Sequence, residues 1–153
     1  MSKQRNKGTS YETRVARYMR DVLQEPSIER RALHGSKDMG DLYGICCHGF
    51  SGIAECKSHA DYAPALVARW REETLTERGN ADADFALLVV DRYRAPMGRS
   101  DVHVTLRDLA RIALPVMVNG GWEEAADEAW VRMTLDEALA LMGGGAGEDE
   151  QWQ

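Results

Sequence analysis

Phe85-Ala86-Leu87-Leu88-Val89-Val90 is an uninterrupted apolar run, with none of the polar alternation of a strand that faces water on one side. It reads as a central strand covered on both faces. Upstream, Gly79-Asn80 supplies the left-handed stop that ends a helix. Residues 61–78 before it place Leu66, Trp70, Thr74 and Leu75 at helical spacing for burial. Further back, residues 41–46 and 50–57 read as two short strands joined by a hairpin at His48-Gly49, and residues 28–33 as a first strand. Thr9 or Ser10 caps an opening helix that runs to about Gln24, with Tyr11, Val15, Tyr18, Met19 and Val22 on its buried face. Pro26 stops it. The order α-β-β-β-α-β defines an α/β fold, a mixed sheet with helices packed on it.

Beyond the central strand the pattern changes. Residues 102–109 and 131–138 look alike, each a short strand turning into a helix at a threonine, with Thr105 and Thr134 as the N-caps. The likeness reads as coincidence, or as one strand–helix unit with an insertion around residues 107–130. After Met142 the chain turns to glycine and acid and cannot bury enough surface to order itself. The expected organisation is a flexible basic arm at 1–8, a core at 9–106, a C-terminal helical and strand elaboration at 107–142, and a disordered acidic tail at 143–153.

The chain has 153 residues, 44% hydrophobic and 29% charged, enough to bury a core without disulfide or metal staples. No run of about 18 apolar residues occurs, which excludes a spanning helix. The basic N-terminus lacks the apolar stretch of a secretory signal. Cys46, Cys47 and Cys56 are an odd, clustered set that suits free thiols in a reducing compartment, so a cytoplasmic location is expected. The net charge of -6 hides a gradient: residues 1–37 carry +5, residues 38–119 carry -3 and residues 120–153 carry -8. The front of the chain suits a polyanion and the back repels one. A solvated helix face with a loose arm would give the same count.

The sharpest chemical feature is Gly40-Asp41 followed by Glu55-Cys56-Lys57. On a strand, Glu55 and Lys57 share one face and Cys56 takes the other. If Asp41 opens the neighbouring strand, two acids and a lysine converge at one end of the sheet. Two close carboxylates repel unless one is protonated or a cation sits between them, and an oxygen-only site suits Mg²⁺ or Mn²⁺. Such a set could cut phosphodiester bonds; a charged, solvated strand end is the plainer reading.

Lys7-Gly8-Thr9-Ser10-Tyr11-Glu12, Arg30-Arg31, Gly40-Asp41-Leu42 and Ala54-Glu55-Cys56-Lys57-Ser58 together resemble the PD-(D/E)XK nucleases, and within them the Holliday-junction resolvases of archaea and phages. The resemblance covers about residues 5–94. It implies a restriction-endonuclease-like mixed β-sheet flanked by helices, and a Mg²⁺-dependent (or Mn²⁺-dependent) homodimeric endonuclease acting on branched DNA in a bacterial or phage-infected cytoplasm. No membrane and no nucleotide cofactor are expected. Asp41, Glu55 and Glu12 would be the metal ligands, Lys57 the catalytic lysine, and Ser36 a hydroxyl beside the scissile phosphate. Gly40 stands where the family's name has proline, and Gly52-Ile53-Ala54 is less hydrophobic than usual before the Glu. Restriction- or repair-type cutting of duplex or flap DNA, and a non-catalytic DNA-binding or assembly protein, are the alternatives.

Lys3, Arg5, Lys7, Arg30, Arg31 and Lys37 are the expected DNA contacts, with His34 in the same loop; Arg92, Arg94 and Arg99 would widen the footprint. Cys56-x-x-His59 is half a zinc site, but adjacent Cys46 and Cys47 face opposite ways on a strand, so buried thiols are expected instead. Arg69, Arg71 and Arg78 interleave with Glu72, Glu73 and Glu77 and are read as mostly intrahelical ion pairs.

Overall fold

A computed structural model describes residues 3–32, 35–113 and 129–144, with the side chains of residues 3–9 outside that description. In chain order the elements are α1 (Lys3–Leu23), β1 (Glu29–Arg30), β2 (Leu42–Cys47), β3 (Phe50–Lys57), α2 (Pro64–Asn80), β4 (Phe85–Val90), β5 (Asp101–Thr105), α3 (Leu106–Ala113), β6 (Trp130–Thr134) and α4 (Leu135–Leu141). The strands form one mixed sheet in the order β1-β2-β3-β4-β5-β6. β3 and β4 are parallel, with α2 as their crossover, and every other neighbouring pair is antiparallel.

The apolar run is the sheet's centre: all of β4 is buried. Its odd and even positions enter two different cores. Phe85, Leu87 and Val89 join Tyr11, Val15 and Met19 of α1 and Leu135 and Leu139 of α4 on one face. Leu88 and Val90 meet Trp70 of α2 on the other. Burying a side chain such as Phe85 contributes roughly 1.5–3 kcal/mol. The glycine in Gly52-Ile53-Ala54 has its reason here, because a Cβ on Gly52 would come within 2.2 Å of the Phe85 ring. His48 and Gly49 both have positive φ (51° and 84°), as a two-residue turn matching the twist of β2 and β3 requires.

Several boundaries differ from expectation. α1 begins at Lys3 rather than at Thr9 or Ser10, so its backbone takes in most of the residues assigned to a loose arm. The first strand shrinks to Glu29–Arg30, both exposed at the sheet's edge. α2 runs through Gly79 to Asn80, and the left-handed residue that follows is Asp82 (φ 51°). Both threonine-turned segments are strand–helix units, and they pair with each other: Thr105 lies opposite Trp130 and Asp101 opposite Thr134 in the β5–β6 ladder. Thr105 Oγ1 accepts from Asp108 N at 3.1 Å, and Thr134 forms a reciprocal capping box with Glu137. Both segments are thus strand–helix units of the one sheet. Most of the proposed insertion, and residues 145–153 of the tail, lie outside the described residues.

Candidate metal-binding and catalytic site

The alternation along β3 sends Ala54 and Cys56 into the α1-side core. Glu55 and Lys57 lie beside Leu88 and Val90 of β4, on the face covered by α2. Glu55 is 4% exposed. Its Oε1 accepts from Lys57 Nζ at 2.6 Å, and its Oε2 is buried with no hydrogen-bond partner. α2 lays Trp70, Thr74 and Glu77 along one stripe against the sheet. Glu77 is thereby brought into direct interaction with Glu55, and its Oε2 too is buried without a partner.

Asp41 sits where the chain enters β2. Its Oδ2 accepts from Cys56 N at 2.8 Å, which ties the start of β2 to the end of β3. Asp38 belongs to the loop just before it. Asn80 Nδ2, at the end of α2, donates to the Asp38 carbonyl at 2.7 Å, and Gly40 N donates to Asp38 Oδ1 at 3.1 Å. Oxygens of Asp38, Glu55 and Glu77 all lie within 4.8 Å of one another.

The charges explain the proton affinities. Burial, then the charge of Glu55, pushes Asp41 up to about 8. Burial pushes Glu55 up to about 7; Lys57 pulls it down while Glu77 adds to the rise. Glu77 also stands at about 7, raised first by burial, with Asp38 and Asp41 adding to it against the contributions of Glu55 and Lys57. Burial alone would lower Lys57, yet Glu55, Asp41 and Glu77 together hold it above the ordinary lysine value. Ionising all four acids beside one ammonium would leave an excess of negative charge, so the buried acids hold protons that a bound cation would displace. An all-oxygen donor set with two buried, unpartnered carboxylate oxygens fits a hard divalent ion such as Mg²⁺ or Mn²⁺.

Of the residues expected at the site, Asp41, Glu55 and Lys57 are brought together. Glu12 pairs with Arg30 at 3.4 Å, although its charge still helps raise Asp41. Ser36 and Lys37 are exposed in the bend before Asp38, and the Arg31 guanidinium lies 4.9 Å over the Tyr43 ring. His34 and the side chains of Lys3, Arg5 and Lys7 lie outside the described residues. Asp38 and Glu77 were not expected. Glu77 was legible in one respect, since it falls on the Trp70–Thr74 stripe; Asp38 carries no such sign.

The intrahelical pairing expected for α2 holds for Arg69 and Glu73, at 3.2 Å. It fails for Glu77, and also for Arg78, which spans to Asp108 of α3 at 2.9 Å. The tertiary neighbours are closer and drier than the next turn of helix, so they take these side chains. The expected buried thiols are found at Cys47 and Cys56, but Cys46 is exposed because alternation turns it to the opposite face from Cys47; all three are free thiols. His59 packs on Trp70 with ring centroids 5.3 Å apart, and Cys56 lies in the core of the opposite face.

No family model, curated protein or solved structure matches the chain. Among the described residues no helix is long and apolar enough to cross a membrane.

Proposed function

We propose that the chain is a divalent-metal-dependent endodeoxyribonuclease of the PD-(D/E)XK kind, acting on four-way junctions as a homodimer. The observation that carries the reading is the convergence of Asp41, Glu55 and Lys57 at one end of β2 and β3, with Glu77 and Asp38 closing the cluster. The element order α1-β1-β2-β3-α2-β4 is compatible with the αβββαβ order expected of such a nuclease and supports the reading. Gly40 in place of the family's proline accords with its φ of 85°, which a pyrrolidine ring fixed near -65° cannot adopt.

Glu55, Glu77 and Asp38 would hold the ion, with Asp41 beside them. Bound there, Mg²⁺ or Mn²⁺ would acidify a water and offset charge on the phosphate. Lys57 stays protonated among the carboxylates, so its part is to stabilise charge building on the phosphoryl oxygens rather than to remove a proton. Asp41 fixes the approach of β2 to β3 through the Cys56 amide.

The test presents labelled four-way junction, duplex, flap and single-stranded DNA to the protein with Mg²⁺ or EDTA, and measures Mn²⁺ binding by calorimetry. Symmetric paired nicks confined to the junction, abolished by EDTA and by Glu55→Gln, are expected. Lys57→Ala should slow cutting at least about a hundredfold while Mn²⁺ and DNA binding persist. Cutting of duplex or flap instead would overturn the substrate, and absence of both cutting and Mn²⁺ binding would overturn the nuclease.

A further inference from the structure

A concavity opens at the ends of β3 and β4, lined by none of the cluster residues above. It is an open cleft of about 550 Å³, within the ~300–1,000 Å³ typical of small-ligand sites. It forms where the parallel strands β3 and β4 end side by side, the place where α/β sheets open a crevice. Asp91 N donates to the Lys57 carbonyl at 2.9 Å, and Ser58 Oγ donates to the Asp91 carboxylate at 3.0 Å. Asp91, which lines the cleft, is thereby hydrogen-bonded to the Lys57 backbone.

Its lining includes Tyr62, Tyr93, Asp91, Asp101, Arg92 and Arg99. Tyr62 is braced against Trp70, with ring centroids 5.5 Å apart. Tyr93 is 68% exposed, the most exposed large hydrophobic among the described residues, and the Arg94 guanidinium lies 5.0 Å over its ring. Arg94 takes one side of the ring, and the exposure of the rest makes Tyr93 a surface on which a further planar group can stack. The charged lining is wrong for an apolar ligand. Aspartates outnumber arginines around it, which disfavours a bare phosphate. A nucleobase fits all three features: its face stacks on tyrosine, its N–H groups donate to carboxylates, and the phosphates beside it meet the arginines.

We propose that this cleft holds one unpaired nucleotide, its base stacked on Tyr93, next to the phosphate addressed by Lys57. The placement beside a scissile phosphate rests on the nuclease reading, and it adds to the four-way junction the requirement of a base unstacked at the branch point. The aspartates favour bases with amino groups, so cytosine is held better than thymine.

Fluorescence anisotropy in EDTA tests this with labelled short oligo(dC), oligo(dT) and duplex, alongside calorimetric Mn²⁺ binding. Tyr93→Ala should weaken oligo(dC) binding roughly tenfold to a hundredfold, Tyr93→Phe should restore it, and duplex and Mn²⁺ binding should be unchanged. Asp101→Asn should narrow the preference for oligo(dC) over oligo(dT). Unaltered oligo(dC) affinity in Tyr93→Ala, or equal losses on duplex and single strand, would overturn the cleft assignment even if wild-type protein cuts DNA. Tyr93-dependent single-strand binding in a protein that neither cuts nor binds Mn²⁺ would leave the cleft as a single-strand site and sink the nuclease alone.

Discussion

At Glu77, α2 places a carboxylate where its packing stripe would ordinarily carry an apolar side chain. The fold bears the cost of its burial and of the charges of Asp38 and Asp41 beside it. Its proton affinity in the fold, about 7, lies above the ordinary carboxyl value of 4.5. The charged form is therefore the disfavoured one: the cost is absent below about pH 4.5 and complete above about pH 7. Glu77→Gln removes that cost. The stability of the metal-free variant relative to wild type should rise as pH increases across that window, reaching about 1 kcal/mol after allowance for solvent screening. Mn²⁺ affinity should fall about tenfold or more. Urea unfolding at both pH limits, paired with calorimetry, reads both effects, and parallel stability curves would contradict the assignment. Gly40 makes a second prediction. With φ of 85° and a would-be Cβ 2.9 Å from Ile53 Cδ1, Gly40→Ala should cost about 1–3 kcal/mol in chemical denaturation, and Gly40→Pro more.

Among the elements, the helices divide their labour. α2 delivers Trp70 and Glu77 to the sheet. It is also held at its C-terminal end by Arg78, whose Nη1 donates to both Asp108 carboxylate oxygens at 2.9 Å. Asp108 Oδ2 also accepts from Ala86 N of β4 at 2.9 Å, so one fully buried carboxylate joins α2, α3 and the central strand. Breaking a buried pair leaves an uncompensated charge, and Asp108→Ala should cost about 3–5 kcal/mol in urea unfolding. A loss under about 1 kcal/mol would mean that the linkage is incidental. Because Asn80, on the last turn of α2, holds the Asp38 loop, the same substitution should also weaken Mn²⁺ binding.

Across the whole molecule, register builds one continuous row on the α2-covered face: Glu55, Leu88, His103 and Arg132 lie on successive strands. The acidic end of this row belongs to the candidate metal site, and the other end is basic. Burial, then Arg71 and Arg132, holds His103 down at about 4, below its ordinary 6.5. Its Nδ1 lies 2.9 Å from Arg71 Nη2, so the imidazole is neutral and accepts from the guanidinium. A depressed histidine contributes stability that is complete above about pH 6.5 and lost as pH falls towards 4, because the unfolded chain binds the proton more tightly. His103→Gln lacks that loss. Its stability relative to wild type should therefore rise as pH drops from 6.5 to 4, and identical pH dependence in the two proteins would refute the argument.

Sequence by itself determined what depends on local pattern. The apolar run at 85–90, the His48-Gly49 turn, the threonine caps at 105 and 134 and the alternation that pairs Glu55 with Lys57 are short-range consequences of side-chain period and backbone preference. Asp41 with Glu55 and Lys57 was legible as a set because a hairpin places nearby sequence positions side by side. What only the tertiary structure decided is long-range. The register that sets β5 against β6, the loop contact that brings in Asp38, and the choice of Arg78 for Asp108 over its own helix all depend on which surfaces meet. Glu77 shows the boundary most clearly: its stripe position was written in the helix period, but its partner lies on a strand more than twenty residues earlier. No local pattern encodes that distance, since it is set by how α2 settles on the sheet to cover Leu88 and Val90.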